Sequence, residues 1–242
     1  MALYCEKEYE LRLSDFDQYG RLLPSSVLDL FQEIAIFQSD EDGNSHESML
    51  TAGGFWVVTR MKYAVCNTME NERRVVVSTW PHSPSKFIIM RDFSIASTSG
   101  TQLIKGSSEW MALSATDRKL APVADFYDVT REFCTERSFN DKMKKIFDFE
   151  TDEAQRVRIV PSYTDVDLNG HVNNAKYADY IVNAIDPGQA GRLTSFQIDY
   201  RHEVLRGEPL DVFTQFNDDS ALVKGVDASG TVMFASKVEF EI

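Results

Sequence analysis

Thirteen consecutive residues, Asp165 to Tyr177 (DVDLNGHVNNAKY), gather two aspartates, three asparagines and one of the chain's four histidines beside a helix-like run. If Asp165 to His171 is extended, the two-residue side-chain period sets Asp165, Asp167, Asn169 and His171 on one face. Gly170 then lets the backbone turn just before a helix, whose first N–H groups are unpaired and carry partial positive charge. Such a set suits attack of water on a carbonyl. An amide or imidazole N–H can hold the oxygen that becomes negative, while a carboxylate orients the imidazole or takes the proton of water. The same residues also suit a plain turn, with Asp167 and Asn169 bonding to nearby backbone, Asn173 or Asn174 capping a helix and His171 half-buried. Spacing alone leaves both readings open.

A turn and the helix behind it must position any such site, and both occur twice. SDFDQYGRLLPSSVLDLF from Ser14 aligns with TDVDLNGHVNNAKYADYI from Thr164, so that Asp15, Asp17, Gly20 and Asp29 match Asp165, Asp167, Gly170 and Asp179 at a constant offset of 150. Downstream, TRMKYAVCNTMENERRVVVSTW resembles FQIDYRHEVLRGEPLDVFTQF with Tyr63 under Tyr200, an offset of 137; the extra residues fall in the acidic loop around Ser39 to Gly53. A period this long implies two similar domains in tandem. The first copy has Tyr19 and Arg21 where the second has Asn169 and His171. Turn formation alone does not account for that difference, and one site per chain, in the second half, is the expectation.

Each half reads as strand, turn, helix and several strands. Pro24 with Ser25 and Ser26 opens a helix to about Phe37 that carries Val27, Leu28, Leu30, Phe31 and Ile34 inward. A second runs from Asn174 to about Ile185, carries Tyr177, Tyr180, Ile181 and Ile185 inward, and is ended by Pro187 and Gly188. Alternating and β-branched runs follow each helix, which predicts an α+β fold with one helix and an antiparallel sheet per half. Asp125 to Glu153 is charged, has DKMKKIF at helical spacing, and reads as a connector. The expected division is therefore 1–124, 125–153 and 154–242.

Composition narrows the function. With 242 residues, 43% of them hydrophobic, the chain can bury one large core or two medium ones. No apolar run reaches the roughly 18 residues of a membrane span, and MALYCEKEYE lacks the basic start and apolar stretch of a signal peptide, which points to the cytoplasm. Cys5, Cys66 and Cys134 are odd in number and form no CxxC pair, so neither a disulfide framework nor a zinc knuckle is expected. A formal charge of -13 argues against nucleic acid as a partner. GSSEW at 106–110 lacks the second glycine of a nucleophile elbow, and neither HExxH nor a glycine-rich phosphate loop is found. DEDGNS at 40–45 lacks the sixth-position Gly and twelfth-position Glu of a calcium loop. Neither a metal nor a cofactor is expected.

Asp167, Asn169, His171, Val172, Asn173, Asn174 and Tyr177, together with YRHE at Tyr200 to Glu203, make the sequence resemble the acyl-ACP thioesterase family over nearly the whole chain. The resemblance implies two tandem hot-dog domains facing each other, each a long central helix wrapped by an antiparallel sheet. It implies hydrolysis of fatty acyl-ACP to free fatty acid, with Asp167, Asn169, His171 and Glu203 as the catalytic set. Asn169 and His171 would meet the thioester carbonyl or the water, Asp167 would orient, and Glu203 would be the general base, with Asp167 as the alternative base. Plant members carry a cysteine after that glutamate; here the position is Val204, which favours direct, carboxylate-assisted hydrolysis over a covalent thiol route. By alternation along FQIDYRHE alone, Gln197, Asp199, Arg201 and Glu203 share a polar side, and Glu203 reads as a solvated strand end.

By the same resemblance the first half, without amide or imidazole, is expected to bind the acyl chain through Val27, Leu30 and Phe31, and Asn173 and Asn174 are further substrate-binding candidates. The partner implied is acyl carrier protein bearing a fatty acyl-phosphopantetheine. Docking candidates are Arg73 with Arg74, Lys142 with Lys144 and Lys145, and Arg201 with Arg206; a homodimer stays open. Alternative functions on this fold are an acyl-CoA thioesterase, a dehydratase or a non-catalytic acyl-binding protein. A start directly at the first domain, without a transit peptide, suggests a bacterial member.

Overall fold

The computed structural model describes residues 3–69, 72–150, 155–188 and 191–241. The chain divides into two compact units, Met1–Leu13 with Leu30–Lys142 and Ser14–Asp29 with Met143–Ile242. Among the described residues no helix is long and apolar enough to cross a membrane.

The first unit is built on β1 (Cys5–Glu10), β2 (Gly54–Val65), β3 (Arg74–Pro81), β4 (Ile88–Ser97), β5 (Gln102–Ser114) and the short β6 (Leu120–Ala121). These form an antiparallel sheet in the order β1-β3-β4-β5-β2, with β6 added to β5. Helix α1 (Pro24–Glu41), which belongs to this unit from Leu30 onward, starts on proline, whose missing N–H and fixed φ suit a first helical position. Its Phe31 is fully buried and stacks on Phe93 with ring centroids 4.4 Å apart. Gly106 explains how the helix comes so close: a Cβ there would lie 2.2 Å from the Phe31 ring.

α1 runs past Phe37 to Glu41 because its last turn is anchored. Gln38 is buried and accepts from Arg91 Nη1, and Asp42 just beyond accepts from Arg131 Nη1 at 2.6 Å. A second short helix, α2 (His46–Thr51), is capped by Ser45, whose Oγ accepts the Ser48 N–H at 3.1 Å. The stretch expected to be an acidic loop is thus largely helical.

The second unit holds β7 (Arg156–Ile159), β8 (Arg192–Tyr200), β9 (Leu210–Asn217), β10 (Ser220–Val226) and β11 (Val232–Glu241), antiparallel in the order β8-β11-β10-β9-β7. Helix α3 (Lys176–Ile185) buries Tyr177, Ala178, Tyr180, Ile181 and Ile185, and the sheet contributes Phe196, Ile198, Phe234 and Val238 to the core. α3 begins two residues after Asn174. Its left-handed cap is Asp186, at φ 43°, rather than the expected Gly188, because a short acidic side chain tolerates that conformation. The fold is α+β, a helix on an antiparallel sheet in each unit, as in hot-dog proteins.

The connector is not helical despite the spacing of DKMKKIF; residues 131–150 contain neither helix nor strand. Strand side chains satisfy its backbone instead. In the first unit Trp80 Nε1 donates to Glu136 O at 2.9 Å and the Ser138 N–H donates to Asp92 Oδ2 at 2.7 Å. In the second, Gln197 Nε2 donates to Lys144 O at 2.7 Å, the Ile146 N–H to Asp199 Oδ2 at 2.8 Å, and Lys224 Nζ to Phe149 O at 2.6 Å. An extended strap whose amides find buried partners needs no helix to satisfy them. Residues 151–153 of the connector lie outside the described residues.

Candidate active site

The chain enters the site through a single 3-10 turn, Tyr163–Asp165, capped by Ser162. Asp165 Oδ2 accepts from Ser162 N and Oγ at 2.6 and 2.9 Å, so this carboxylate serves the turn. The backbone then reverses: the Asp167 N–H donates to His171 O at 2.9 Å, the Gly170 N–H donates to Asp167 O at 3.1 Å, and Gly170 takes φ 82°. Asp165 to His171 is therefore not extended, and the expectation of four polar residues on one face fails at this reversal. Asp167 and Asn169 still meet, since Asp167 Oδ1 accepts the Asn169 N–H at 2.8 Å and its Oδ2 lies 3.5 Å from Asn169 Nδ2.

Glu203 arrives from the end of β8. The N–H groups of Arg201 and His202 both donate to Met233 O, at 2.9 and 3.1 Å, so one residue is extra and the alternation breaks there. Gln197, Asp199 and Arg201 keep to the strap, with Arg201 Nη2 donating to Ile146 O at 2.6 Å. Glu203 turns elsewhere. The Val172 N–H donates to Val204 O at 2.8 Å and His171 bridges Leu205, which draws the two segments together. His171 Nε2 and Glu203 Oε2 end 3.1 Å apart, with side chains 25% and 44% exposed, open enough to meet a substrate.

The other expected site residues are placed as follows. Asn173 Oδ1 accepts the Ala175 N–H at 2.8 Å and so shapes the approach to α3, while Asn174 O accepts from the Tyr200 hydroxyl at 2.9 Å. Val27 and Phe31 are buried and Leu30 is half-buried. Among the described residues no group of three or more His, Cys, Asp or Glu is arranged to hold a metal.

Two further tyrosines belong to this neighbourhood. Tyr177 sets its ring edge-on to Tyr200 (5.5 Å, 81°) and to Phe234 (5.3 Å, 78°). Burial, and after it the carboxylates of Glu203, Asp167 and Glu208, push the Tyr177 hydroxyl well above the usual tyrosine range, so it stays a neutral O–H. Sequence reasoning counted Tyr177 in the family motif and on the inward face of the helix, without a role at the site. The available signal was its replacement by Val27 in the first copy.

That first copy has the same backbone. The Asp17 N–H donates to Arg21 O at 2.8 Å, the Gly20 N–H to Asp17 O at 3.0 Å, the Tyr19 N–H to Asp17 Oδ1 at 2.8 Å, and Gly20 takes φ 77°. Its side chains do different work. Arg21 pairs with Asp17 at 2.7 Å and donates to Gly191 O and Gly188 O at 2.7 and 2.9 Å, bracing the segment after α3. Downstream, the Cys66 and Asn67 N–H groups both donate to Leu103 O, at 2.8 and 3.3 Å, as Arg201 and His202 do to Met233 O. Cys66 thus matches Arg201, an offset of 135 rather than 137. A slip of two residues preserves side-chain alternation, which is why the pattern alone did not reveal it.

Residues 3–133 match the acyl-ACP thioesterase N-terminal domain, and residues 149–237 match the acyl-ACP thioesterase C-terminal domain. The chain belongs to the acyl-ACP thioesterase family. Within it, this thioesterase-family chain is 29% identical over 208 residues to a chloroplastic acyl-acyl-carrier-protein hydrolase, FATB2, of Cuphea viscosissima, covering 78% of this chain and 49% of that protein. It is 26% identical over 235 residues to the chloroplastic oleoyl-acyl carrier protein thioesterase of Coriandrum sativum, covering 88% of this chain and 63% of that one. The chain thus spans about half to two-thirds of the length of these relatives. The crystal structure of an acyl-ACP thioesterase from Bacteroides thetaiotaomicron superimposes with a TM-score of 0.87 at 21% identity, over 98% of both chains, which shows a shared fold.

Proposed function

We propose that this chain hydrolyses the thioester of a fatty acyl group carried on acyl carrier protein, acting in the cytoplasm and releasing free fatty acid. The observation that carries this reading is the 3.1 Å pairing of His171 Nε2 with Glu203 Oε2 beside the Asp167–Asn169 turn. Glu203 accepts a proton from water as its oxygen attacks the thioester carbon. The Asn169 amide, oriented by Asp167, offers an N–H to the carbonyl oxygen as it gains negative charge. When the C–S bond breaks, the proton that Glu203 took from water passes across the 3.1 Å contact to His171 and on to the departing sulfur, which leaves both groups as they began. Residues 154–242 supply this chemistry, while residues 1–124 bind the acyl tail and 125–153 connect the two. Family membership supports the substrate class, and Val204 in place of a thiol supports attack by water.

The test is release of free thiol from acyl-ACP, acyl-CoA and acyl-pantetheine. Thiol and fatty acid should appear in equal amounts, fastest from acyl-ACP. A dehydratase or a binding protein releases no thiol, and a preference for acyl-CoA would reassign the carrier.

A further inference from the structure

The surface around the candidate site carries apolar side chains that packing leaves in water. Leu168 stands at the tip of the Asp167–His171 turn and is fully exposed; Leu205, whose backbone bridges His171, is 44% exposed; Tyr163, on the turn that leads in, is 76% exposed. A single exposed leucine is ordinary. These three, however, lie on segments that are tied together. The Gly207 N–H donates to Pro161 O at 2.9 Å, the Leu205 N–H donates to Glu208 Oε2 at 2.9 Å, and Arg206 sets its guanidinium over the Tyr163 ring, 5.4 Å from the centroid. The turn itself does not require a leucine, since its counterpart in the first copy has the same backbone bonds with Gln18 at the tip. Arg206 is the charge here that is left unanswered. Asp165 accepts from Ser162, Asp167 from the Asn169 N–H and Glu208 from the Leu205 N–H, while Glu203 faces His171. Attraction to the Tyr163 ring face uses none of the guanidinium N–H groups, and among the described residues no acceptor takes them.

We propose that Arg206, Tyr163, Leu168 and Leu205 form the docking rim for the carrier protein at the point where its phosphopantetheine arm emerges. The inference rests on the acyl-ACP reading of the site. A thioester held at His171 and Glu203 leaves its arm and carrier outside that pair, against this rim. The arm carries a phosphodiester, which is anionic at neutral pH, and a guanidinium with its fork of N–H groups free matches that anion. On a chain of net charge -13, such a cation beside the site gives the anionic arm a local point of approach. Tyr163, Leu168 and Leu205 then lose their water against the protein surface around the arm. Tyrosine and arginine beside apolar side chains are the residue types that concentrate at the centres of protein interfaces.

Arg206→Gln and Leu168→Gln test this on substrates that differ only in what carries the acyl group: acyl-ACP, acyl-phosphopantetheine and acyl-pantetheine. With acyl-ACP each variant should raise KM about 10-fold and keep kcat within about two-fold of wild type, because docking contacts hold ground and transition states equally. For Arg206→Gln the loss should persist with acyl-phosphopantetheine and vanish with acyl-pantetheine, which has no phosphate. For Leu168→Gln it should vanish with both, since neither presents a protein surface. Lys144→Gln removes the same charge from the exposed strap and should leave KM for acyl-ACP unchanged. An equal rise in Lys144→Gln, an equal loss on acyl-pantetheine, or an unchanged KM for acyl-ACP in Arg206→Gln or Leu168→Gln would overturn the proposal. If wild type releases no thiol from any of the three, the thioesterase reading fails, and calorimetric binding of holo-acyl carrier protein decides the docking role. Affinity about 10-fold lower in Arg206→Gln than in wild type upholds the rim; equal affinities, or no binding by wild type, overturn it.

Discussion

At the scale of residues, the candidate site is two short-range pairs: His171 with Glu203 at 3.1 Å, and Asp167 with the Asn169 N–H at 2.8 Å. The pairs predict different penalties. Glu203→Gln removes the base and should lower kcat/KM by on the order of 100 to 10,000-fold. Asp167→Asn keeps an oxygen for the Asn169 N–H and should cost about 10-fold. A larger loss in Asp167→Asn than in Glu203→Gln, measured by thiol release, would make Asp167 the base. Most of this set was legible in the sequence because Asp167, Asn169 and His171 sit within one turn. Glu203 was legible only through family resemblance. Its departure from the polar side of β8 depends on Arg201 and His202 sharing Met233 O, a contact that alternation along FQIDYRHE does not encode.

At the scale of elements, the strands and helices followed from periodicity, whereas the connector did not. Its shape is set by tertiary partners, among them Lys224, whose ammonium bonds both Asp148 and Phe149 O. That hydrogen bond from Lys224 holds the Asp148 carboxyl below its ordinary value of 3.8. A depressed folded value means that the pair's stabilisation is complete above the ordinary pKa and is lost as pH falls through the folded one. Amide exchange across residues 143–149 should therefore quicken below pH 3.8 in wild type and be already fast at neutral pH in Lys224→Met. Identical exchange in both proteins at neutral pH would leave Lys224 without this role. On α1, Phe31 is locked by Phe93 and Gly106, so Phe31→Ala should cost about 3 to 5 kcal/mol in stability. Half-buried Leu30 is the better probe of acyl-chain binding. Each methylene buried contributes about 0.8 kcal/mol, so Leu30→Phe should move the released acids toward shorter chains with little change in Tm. Unchanged product profiles would leave α1 as scaffold.

At the scale of the molecule, duplication explains why two nearly identical backbone turns carry different side chains: one bears the amide and imidazole, the other the Arg21 brace. The duplication was legible from Asp15, Asp17, Gly20 and Asp29. The grouping of Ser14–Asp29 with the second unit was not, because composition along the chain carries no record of which segments pack together. Docking surfaces were equally hidden. Arg73 donates to Leu11 O, Arg74 lies 3.8 Å from Glu8, and Arg206 stacks over Tyr163, while Lys142, Lys144 and Lys145 are exposed on the strap. All of this matters to function only if His171 and Glu203 cleave a thioester. The most direct measurement is single-turnover thiol release from acyl-ACP by wild type and His171→Ala at matched Tm. The account predicts stoichiometric thiol and free acid from wild type and a rate lower by about 100 to 10,000-fold in the variant. Equal rates in the two proteins, or no thiol from wild type, would contradict it.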